Sequence, residues 1–288
     1  RKSINEIYYL DSYCNVLDKQ SQSLSLLIQT YQKQVNEGNI AKSELLRLQS
    51  ALFEIENEKN EVRTELNGHQ KMLKILLNAD PSVVIQISEE NKQIPAPEKL
   101  SLNDLLYIAS DFRPDLKIQQ LQTSYFDKSL AYEKSLRVPD VTFSASYDRY
   151  GGVWKDFIGF GVSIDLPFLN RNQGNIKAAR ISRDQSQYLA LQLQNTVSQE
   201  IAEALSNYTL TYDFYSKIEQ NSLLKELDTM LDIYSKNLLN RNISMIEYID
   251  FLEAYKSNKQ TFFTTRKNMY NQFEELQFTI GTDLNKVL

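Results

Sequence analysis

The sequence predicts a mostly α-helical chain, built from long antiparallel coiled-coil helical hairpins with one β-hairpin between them. Residues 175–280 contain neither Pro nor Gly, the two residues that most readily interrupt a helix, and this run far exceeds the usual helix of about 11–12 residues. A segment of about fifty residues recurs 203 positions later. After Pro139, the apolar positions change from a helical period to the alternation that is typical of strands.

The repeat aligns residues 31–80 with residues 234–283 without a gap. Its nine identities are weak evidence alone, but the alignment ends at equivalent helix stops, near Asp80 and Asp283. Each copy therefore predicts one antiparallel pair of long helices.

A short polar segment divides each copy into two helices. Gly38 or Asn240 is expected to take the left-handed conformation that ends the first helix, and Glu44 or Glu247 suits the positive end of the second. We expect a tight tip between the helices of each pair. The tip residues are Gly38, Asn39, Ile40 and Glu44 in the first copy, and Asn240, Arg241, Asn242, Ile243 and Glu247 in the second.

The segments between the repeats are shorter. Pro81, Pro95 and Pro97 predict an extended connector, and Ser101 can cap a short helix after it. Pro114 suits the first turn of the next helix, which we expect to reach about residue 137. Beyond the β-hairpin, the sequence predicts one very long helix over residues 175–236 and a return helix over residues 243–280.

The β-hairpin has two strands of about nine or ten residues, the length that a tilted strand needs to cross a bilayer. Gly151 and Gly152 occupy the turn. Such a hairpin can also cover a soluble core, but two strands are marginal alone in water, and the helical remainder offers no sheet to join. The apolar positions are Val141, Phe143, Ala145, Tyr147, Ile158, Phe160, Val162, Ile164 and Leu166; the polar or small positions are Thr142, Ser144, Ser146, Asp148, Gly159, Gly161, Ser163 and Asp165.

Composition excludes several classes of function. A net charge of −5 without clustered Lys and Arg predicts no nucleic-acid partner. One cysteine, Cys14, and one histidine, His69, leave no disulfide framework and no His- or Cys-rich metal site. No nucleophile elbow or Gly-rich loop accompanies the single histidine, so we expect neither an enzyme nor a cofactor. The sequence has no run of about 18 apolar residues that would predict a transmembrane helix.

Several motifs follow one another in a set order. They are RPDL at residues 113–116, VPDVTFSASYDRYGG at 138–152, GFGVSIDLPFLNRNQGNIKAAR at 159–180, a very long helix, and a tip followed by an acidic helix. This order resembles that of the TolC-like outer-membrane factors (outer membrane efflux proteins) over most of the chain. The corner LPFLNRNQGNI looks closest to the branch that serves heavy-metal efflux of the resistance-nodulation-division type.

The resemblance implies a fold in which three subunits share one β-barrel in the outer membrane of a Gram-negative bacterium. Long helices would continue as an α-barrel tunnel into the periplasm, and residues 167–174 would form the corner between sheet and tunnel. By the same resemblance, Val141, Phe143, Tyr147, Ile158, Phe160, Val162 and Ile164 would face lipid, and Thr142, Ser144, Ser146, Asp148, Ser163 and Asp165 would line water.

The function implied is that of the outer-membrane channel in a tripartite efflux system, a passive export duct for which heavy-metal cations are one cargo. Its partners would be two further copies of the chain, outer-membrane lipid, a periplasmic adaptor (membrane fusion protein) at the tips, and an inner-membrane resistance-nodulation-division pump. The alternative is a soluble periplasmic coiled-coil adaptor or interaction protein. An adaptor would be expected to flank one helical hairpin with Gly-rich β-domains, whereas this sequence predicts two hairpins.

The expected division has five segments. They are residues 1–80, the first-repeat helical hairpin; 81–113, the connector with a short helix; 114–137, a short tunnel helix; 138–167, the transmembrane β-hairpin; and 168–288, the second-repeat hairpin. The first-repeat counterpart of Pro139 would precede residue 1. We therefore expect the natural protein to have roughly 90 or more further residues upstream, with a signal peptide and a second β-hairpin.

Overall fold

The computed structural model describes residues 1–87, 94–165 and 171–286. The predicted strand residue Leu166, the corner residue Pro167 and part of the connector lie outside these ranges. The described residues are mostly helical and contain a two-stranded antiparallel sheet, which confirms the predicted fold class. The elements are α1 (Lys2–Asn36), α2 (Lys42–Leu77), α3 (Leu102–Phe112), α4 (Pro114–Ser135), β1 (Val141–Tyr150), β2 (Lys155–Ile164), α5 (Gln173–Glu219), α6 (Leu223–Leu239) and α7 (Met245–Ile280), with short 3₁₀ helices at Pro97–Lys99 and Leu284–Lys286.

The helix boundaries follow the 203-residue register of the sequence repeat. Helices α2 and α7 both contain 36 residues; they begin at residues 42 and 245 and end at residues 77 and 280. The helices that precede them, α1 and α6, end at residues 36 and 239. Positive φ angles also occur in corresponding pairs, 75° at Gly38 with 61° at Arg241, and 50° at Asn78 with 78° at Gly281.

The very long helix that the sequence predicts over residues 175–236 is divided into α5 and α6, so this prediction is wrong at residues 220–222. The side chain of Asn221 accepts a hydrogen bond of 3.0 Å from the backbone N–H of Leu223, and Ser222 is the N-cap of α6. Short polar side chains can replace helical hydrogen bonds with local ones, which ends a helix without Pro or Gly.

The described residues form two compact units. The first contains Arg1–Leu105, Ile201–Thr279 and the residues from Asp283 onwards; the second contains Leu106–Glu200 and Ile280–Thr282. The core of the first unit is one apolar cluster from α1, α2, α6 and α7. Its leucines are spaced at helical intervals, so one face of each helix is buried, and each such side chain stabilises the fold by roughly 1.5–3 kcal/mol.

Several tyrosines are buried in the first unit with their hydroxyl groups bonded. The hydroxyl of Tyr255 donates to a carboxylate oxygen of Asp228 at 2.9 Å, and that of Tyr208 donates to the carbonyl oxygen of Pro95 at 2.7 Å. A tyrosine can therefore fill these cores without leaving an unpaired polar group.

In the second unit, α4 pairs with the first part of α5 through polar contacts. The Thr123 and Ser186 hydroxyl oxygens lie 3.1 Å apart. Before α4, the Arg113 guanidinium binds carboxylate oxygens of Asp115 at 2.6 Å and Glu200 at 2.8 Å. The pKa of Arg113 is raised, chiefly by its hydrogen bond to Asp115. These contacts fix the α4 start, where Pro114 takes the first helical position.

Candidate functional site

The β-hairpin carries its apolar residues on a single face. Val141 pairs with Ile164 and Phe143 pairs with Val162, and this register continues through Ala145 with Phe160 and Tyr147 with Ile158. Residues directly opposite each other in an antiparallel pair point to the same side of the sheet. The alternation in each strand therefore combines into one apolar face and one polar face.

All the apolar positions of this face are exposed in the described structure. Phe143 is 78% exposed and Phe160 is 85% exposed. Water gives no favourable environment for such a continuous set of large apolar side chains, so the face needs a partner or an apolar solvent. The other exposed members are Val141, Tyr147, Ile158, Val162 and Ile164.

The opposite face is made of small and polar residues, except for Phe157 near the turn. Gly161 lies across from Ser144, and a Cβ atom added at Gly161 would lie 2.7 Å from the Ser144 hydroxyl oxygen. At this pair of positions, the face therefore has no room for a larger residue in place of Gly161. Thr142 pairs with Ser163 on the same side, Ser146 pairs with Gly159, Asp148 pairs with Phe157, and Asp165 is an exposed residue just after β2.

The two helical tips share one backbone motif. The N–H groups of Gly38 and Arg241 bond to carbonyl oxygens three residues earlier, at 3.0 and 3.1 Å. The N–H groups of Asn39 and Asn242 bond to carbonyl oxygens five residues earlier, both at 2.9 Å. This pair of bonds defines the Schellman motif, which satisfies the last carbonyl groups of a helix and reverses the chain.

The left-handed residue of the second tip is Arg241, so the expectation for Asn240 is wrong. Asn240 has a φ of −83°, whereas Arg241 has a φ of 61°. Asn is the residue that most often replaces Gly in the left-handed conformation after a helix end, and for this reason the sequence favoured Asn240. The ungapped repeat contained the right signal, because it aligns Arg241 with Gly38.

The tips of the two repeats touch each other in the first unit. The Arg241 guanidinium donates a hydrogen bond of 2.9 Å to the backbone carbonyl oxygen of Asn39. Ile40 and Ile243 are half-buried and pack against the apolar core, whereas Gly38, Asn39, Glu44, Asn240, Arg241, Asn242 and Glu247 are exposed. The structure therefore brings the predicted tip residues of both repeats into one surface.

A capping box begins α7. The backbone N–H of Ser244 donates to a Glu247 carboxylate oxygen at 2.7 Å, and the Glu247 N–H donates to the Ser244 hydroxyl at 3.2 Å. The hydrogen bond that the Glu247 carboxylate accepts from the Ser244 backbone N–H, followed by its interaction with the Ser244 hydroxyl group, lowers the pKa of Glu247. The first repeat has Ala41 at the corresponding place, which makes no side-chain cap. The spacing Ser-x-x-Glu was the sequence signal for this cap, and it was missed.

Comparisons with solved structures place this geometry among known folds. The chain matches CusC, whose structures are described in terms of transmembrane channel formation, with a TM-score of 0.76 at 16% identity, over 98% of this chain and 67% of that one. It matches the outer membrane protein VceC from Vibrio cholerae with a TM-score of 0.74 at 15% identity, over 97% of this chain and 68% of that one. This is the TolC-like outer-membrane channel fold.

The TolC-like fold is supported by a further match, to the CmeC outer membrane channel of Campylobacter jejuni, with a TM-score of 0.72 at 14% identity. That match covers 99% of this chain and 63% of CmeC, so the chain spans about two thirds of the length of these channels. A scan against protein-family models and a search of curated proteins find no significant match.

Within the described part of this TolC-like chain, none of the helices is long and apolar enough to cross a membrane. Cys14 on α1 is a buried free thiol. The described residues bring together no group of three or more His, Cys, Asp or Glu side chains that could hold a metal ion.

Proposed function

We propose that this protein is the outer-membrane channel of a tripartite efflux system in a Gram-negative bacterium, acting as a passive export duct across the outer membrane and periplasm. The observation that carries the proposal is the β-hairpin, whose exposed apolar face and small polar face occur in a chain with the fold of outer-membrane channels. Strands with lipid on one side and water on the other alternate in this way.

The hairpin also supports an assembly of several copies as the working form, and the resemblance to the channels makes that assembly a homotrimer. Two strands have unpaired edges and cannot enclose a pore, so several hairpins must be pooled. In this proposal the apolar face from Val141 to Ile164 contacts outer-membrane lipid, and the face that contains Ser144 and Ser163 lines the water-filled lumen. The remaining segments keep the roles expected from the sequence, as helical tunnel wall and connector.

The joined tips are proposed as the periplasmic mouth that receives the adaptor protein. They form an exposed surface of mixed polarity, and the Arg241 contact holds two chain reversals together there. Glu247→Lys should impair efflux and adaptor cross-linking while trimer level stays unchanged. Glu203→Lys, the same change at an exposed site on α5, is the control. Normal efflux and normal cross-linking in Glu247→Lys would contradict the proposal that the tips bind the adaptor.

Heavy-metal cations are proposed as the cargo on the resemblance of the corner segment. A duct that passes ions through a wide aqueous lumen requires no resident metal site, since selectivity can come from lumen charge and mouth opening. Deletion of the gene should lower the tolerance of the cell to heavy-metal salts. If the deletion lowered tolerance to organic drugs and left tolerance to metal salts unchanged, the cargo would be organic molecules instead of metal cations.

Fractionation of the natural full-length protein tests the proposal as a whole. We expect it in the outer-membrane fraction, extracted only by detergent, as a trimer that dissociates on heating. A soluble adaptor would instead be released by osmotic shock, and that result would overturn the duct. The two-hairpin TolC-like fold favours the duct over the adaptor.

A further inference from the structure

The single histidine of the chain lies beside a carboxylate on the surface of α2. His69 and Glu65 are four residues apart, which places them on the same helix face. The Nε2 atom of His69 lies 4.0 Å from a carboxylate oxygen of Glu65, and the two side chains are 28% and 60% exposed. A ligand in solution can therefore reach both groups.

Glu58, another carboxylate on α2, makes contacts with other helices, whereas this pair does not. Glu58 accepts hydrogen bonds from Tyr13 and from Lys256, the latter at 2.7 Å. In the described structure, neither Glu65 nor His69 makes a hydrogen bond with its side chain, and their mutual contact is longer than a hydrogen bond. Their donor atoms thus remain available to an added ligand.

We propose that His69 and Glu65 form a two-ligand surface site for a late first-row divalent cation, with copper bound most tightly. An imidazole nitrogen and a carboxylate oxygen are both ligands for these metals, and affinity rises along the series to Cu²⁺. Metal–ligand bonds of about 2.0–2.2 Å at neighbouring coordination positions bring their donor atoms closer together than 4.0 Å, and rotation of the exposed Glu65 side chain supplies that movement. Water completes the coordination.

The site has different requirements from the duct. It lies on the surface of one helix in the first unit, and its binding step needs neither a barrel nor a trimer. Two protein ligands hold an ion less firmly than a closed four-ligand site, so exchange with solution is expected. The test of this metal site is therefore independent of the test of the proposed export function.

The test is a titration of the purified chain, without a polyhistidine tag, with CuCl₂ in a non-chelating buffer. Calorimetry should show one saturable site, and electron paramagnetic resonance should show coupling of Cu²⁺ to one imidazole nitrogen. His69→Gln should lose this site, and Glu65→Gln should weaken it at least fivefold. Glu54→Gln, an exposed carboxylate on α2 without a histidine four residues away, should bind as the wild type does.

Three results would overturn the inference. They are the lack of a saturable site in the wild type, unchanged affinity in His69→Gln, and unchanged affinity in Glu65→Gln. Circular dichroism of each variant should retain the helical signal, because both side chains are on the surface and make no hydrogen bond in the described structure.

Discussion

The guanidinium of Arg241 donates a hydrogen bond of 2.9 Å to the backbone carbonyl oxygen of Asn39, across 202 positions of sequence. This contact joins the tip of one repeat to the tip of the other. It is also made by the residue that holds the left-handed conformation of its own tip. Arg241 therefore reverses the chain at its own tip and also connects that tip to the tip of the first repeat.

Arg241→Ala should make both tips less stable, because it removes the hydrogen bond to Asn39. Alanine, like arginine, is also strained in the left-handed conformation at this position. A bond of this kind contributes about 1 kcal/mol, which corresponds to about fivefold faster amide exchange in tip peptides. Hydrogen-exchange mass spectrometry of residues 34–44 measures this change. Arg47→Ala removes an exposed arginine from α2 and serves as control; equal exchange in both variants would contradict the prediction.

Gly38→Ala and Gly68→Ala should change stability in opposite directions. Gly38 has a φ of 75°, where a Cβ atom is strained by about 1 kcal/mol although no atom lies within 4 Å of it. Gly68 lies inside α2 and also has open space, so alanine there should stabilise the helix by up to about 1 kcal/mol. Thermal unfolding followed by circular dichroism compares the two variants with the wild type. A lower unfolding midpoint for both would contradict the prediction that alanine stabilises α2 at position 68.

The capping box should make stability depend on pH. Glu247 has a folded-state pKa below its ordinary value of 4.5, chiefly because its carboxylate accepts a hydrogen bond from the Ser244 backbone N–H. Its contribution is therefore fully present above about pH 4.5 and is lost as the pH falls through the depressed folded-state pKa. The difference in unfolding midpoint between the wild type and Glu247→Gln should be constant from pH 7 to pH 5 and shrink toward pH 3. Glu44→Gln, at the site with Ala41 as its cap, is the matched control.

Charges introduced on the two hairpin faces should have different effects. Val162→Arg places a charge on the apolar face, where lipid contact would cost about 2–4 kcal/mol at mid-membrane depth. Ser163→Arg places the same charge on the polar face, where water would solvate it. We expect Val162→Arg to reduce the heat-sensitive trimer in outer-membrane fractions and Ser163→Arg to retain it. Equal trimer levels would contradict the assignment of the faces.

The sequence predicted the helical hairpins and the strand pair well because their signals are local. Helix α4 begins at Pro114 as expected, and both strands have the predicted alternation. Two predictions made from local residue types were wrong. The long helix was expected to continue through Asn221 because it lacks Pro and Gly, and Asn240 was preferred to Arg241 because of its usual role at helix ends.

By itself, the sequence determined the helix and strand positions, the two chemically different hairpin faces and the 203-residue register, since periodicity and chain-reversing residues act over a few positions. The tertiary structure alone decided that Arg241 reaches Asn39 and that the hairpin register aligns apolar with apolar residues. These outcomes depend on which distant backbone groups become neighbours after the helices pack, and no local pattern encodes that choice.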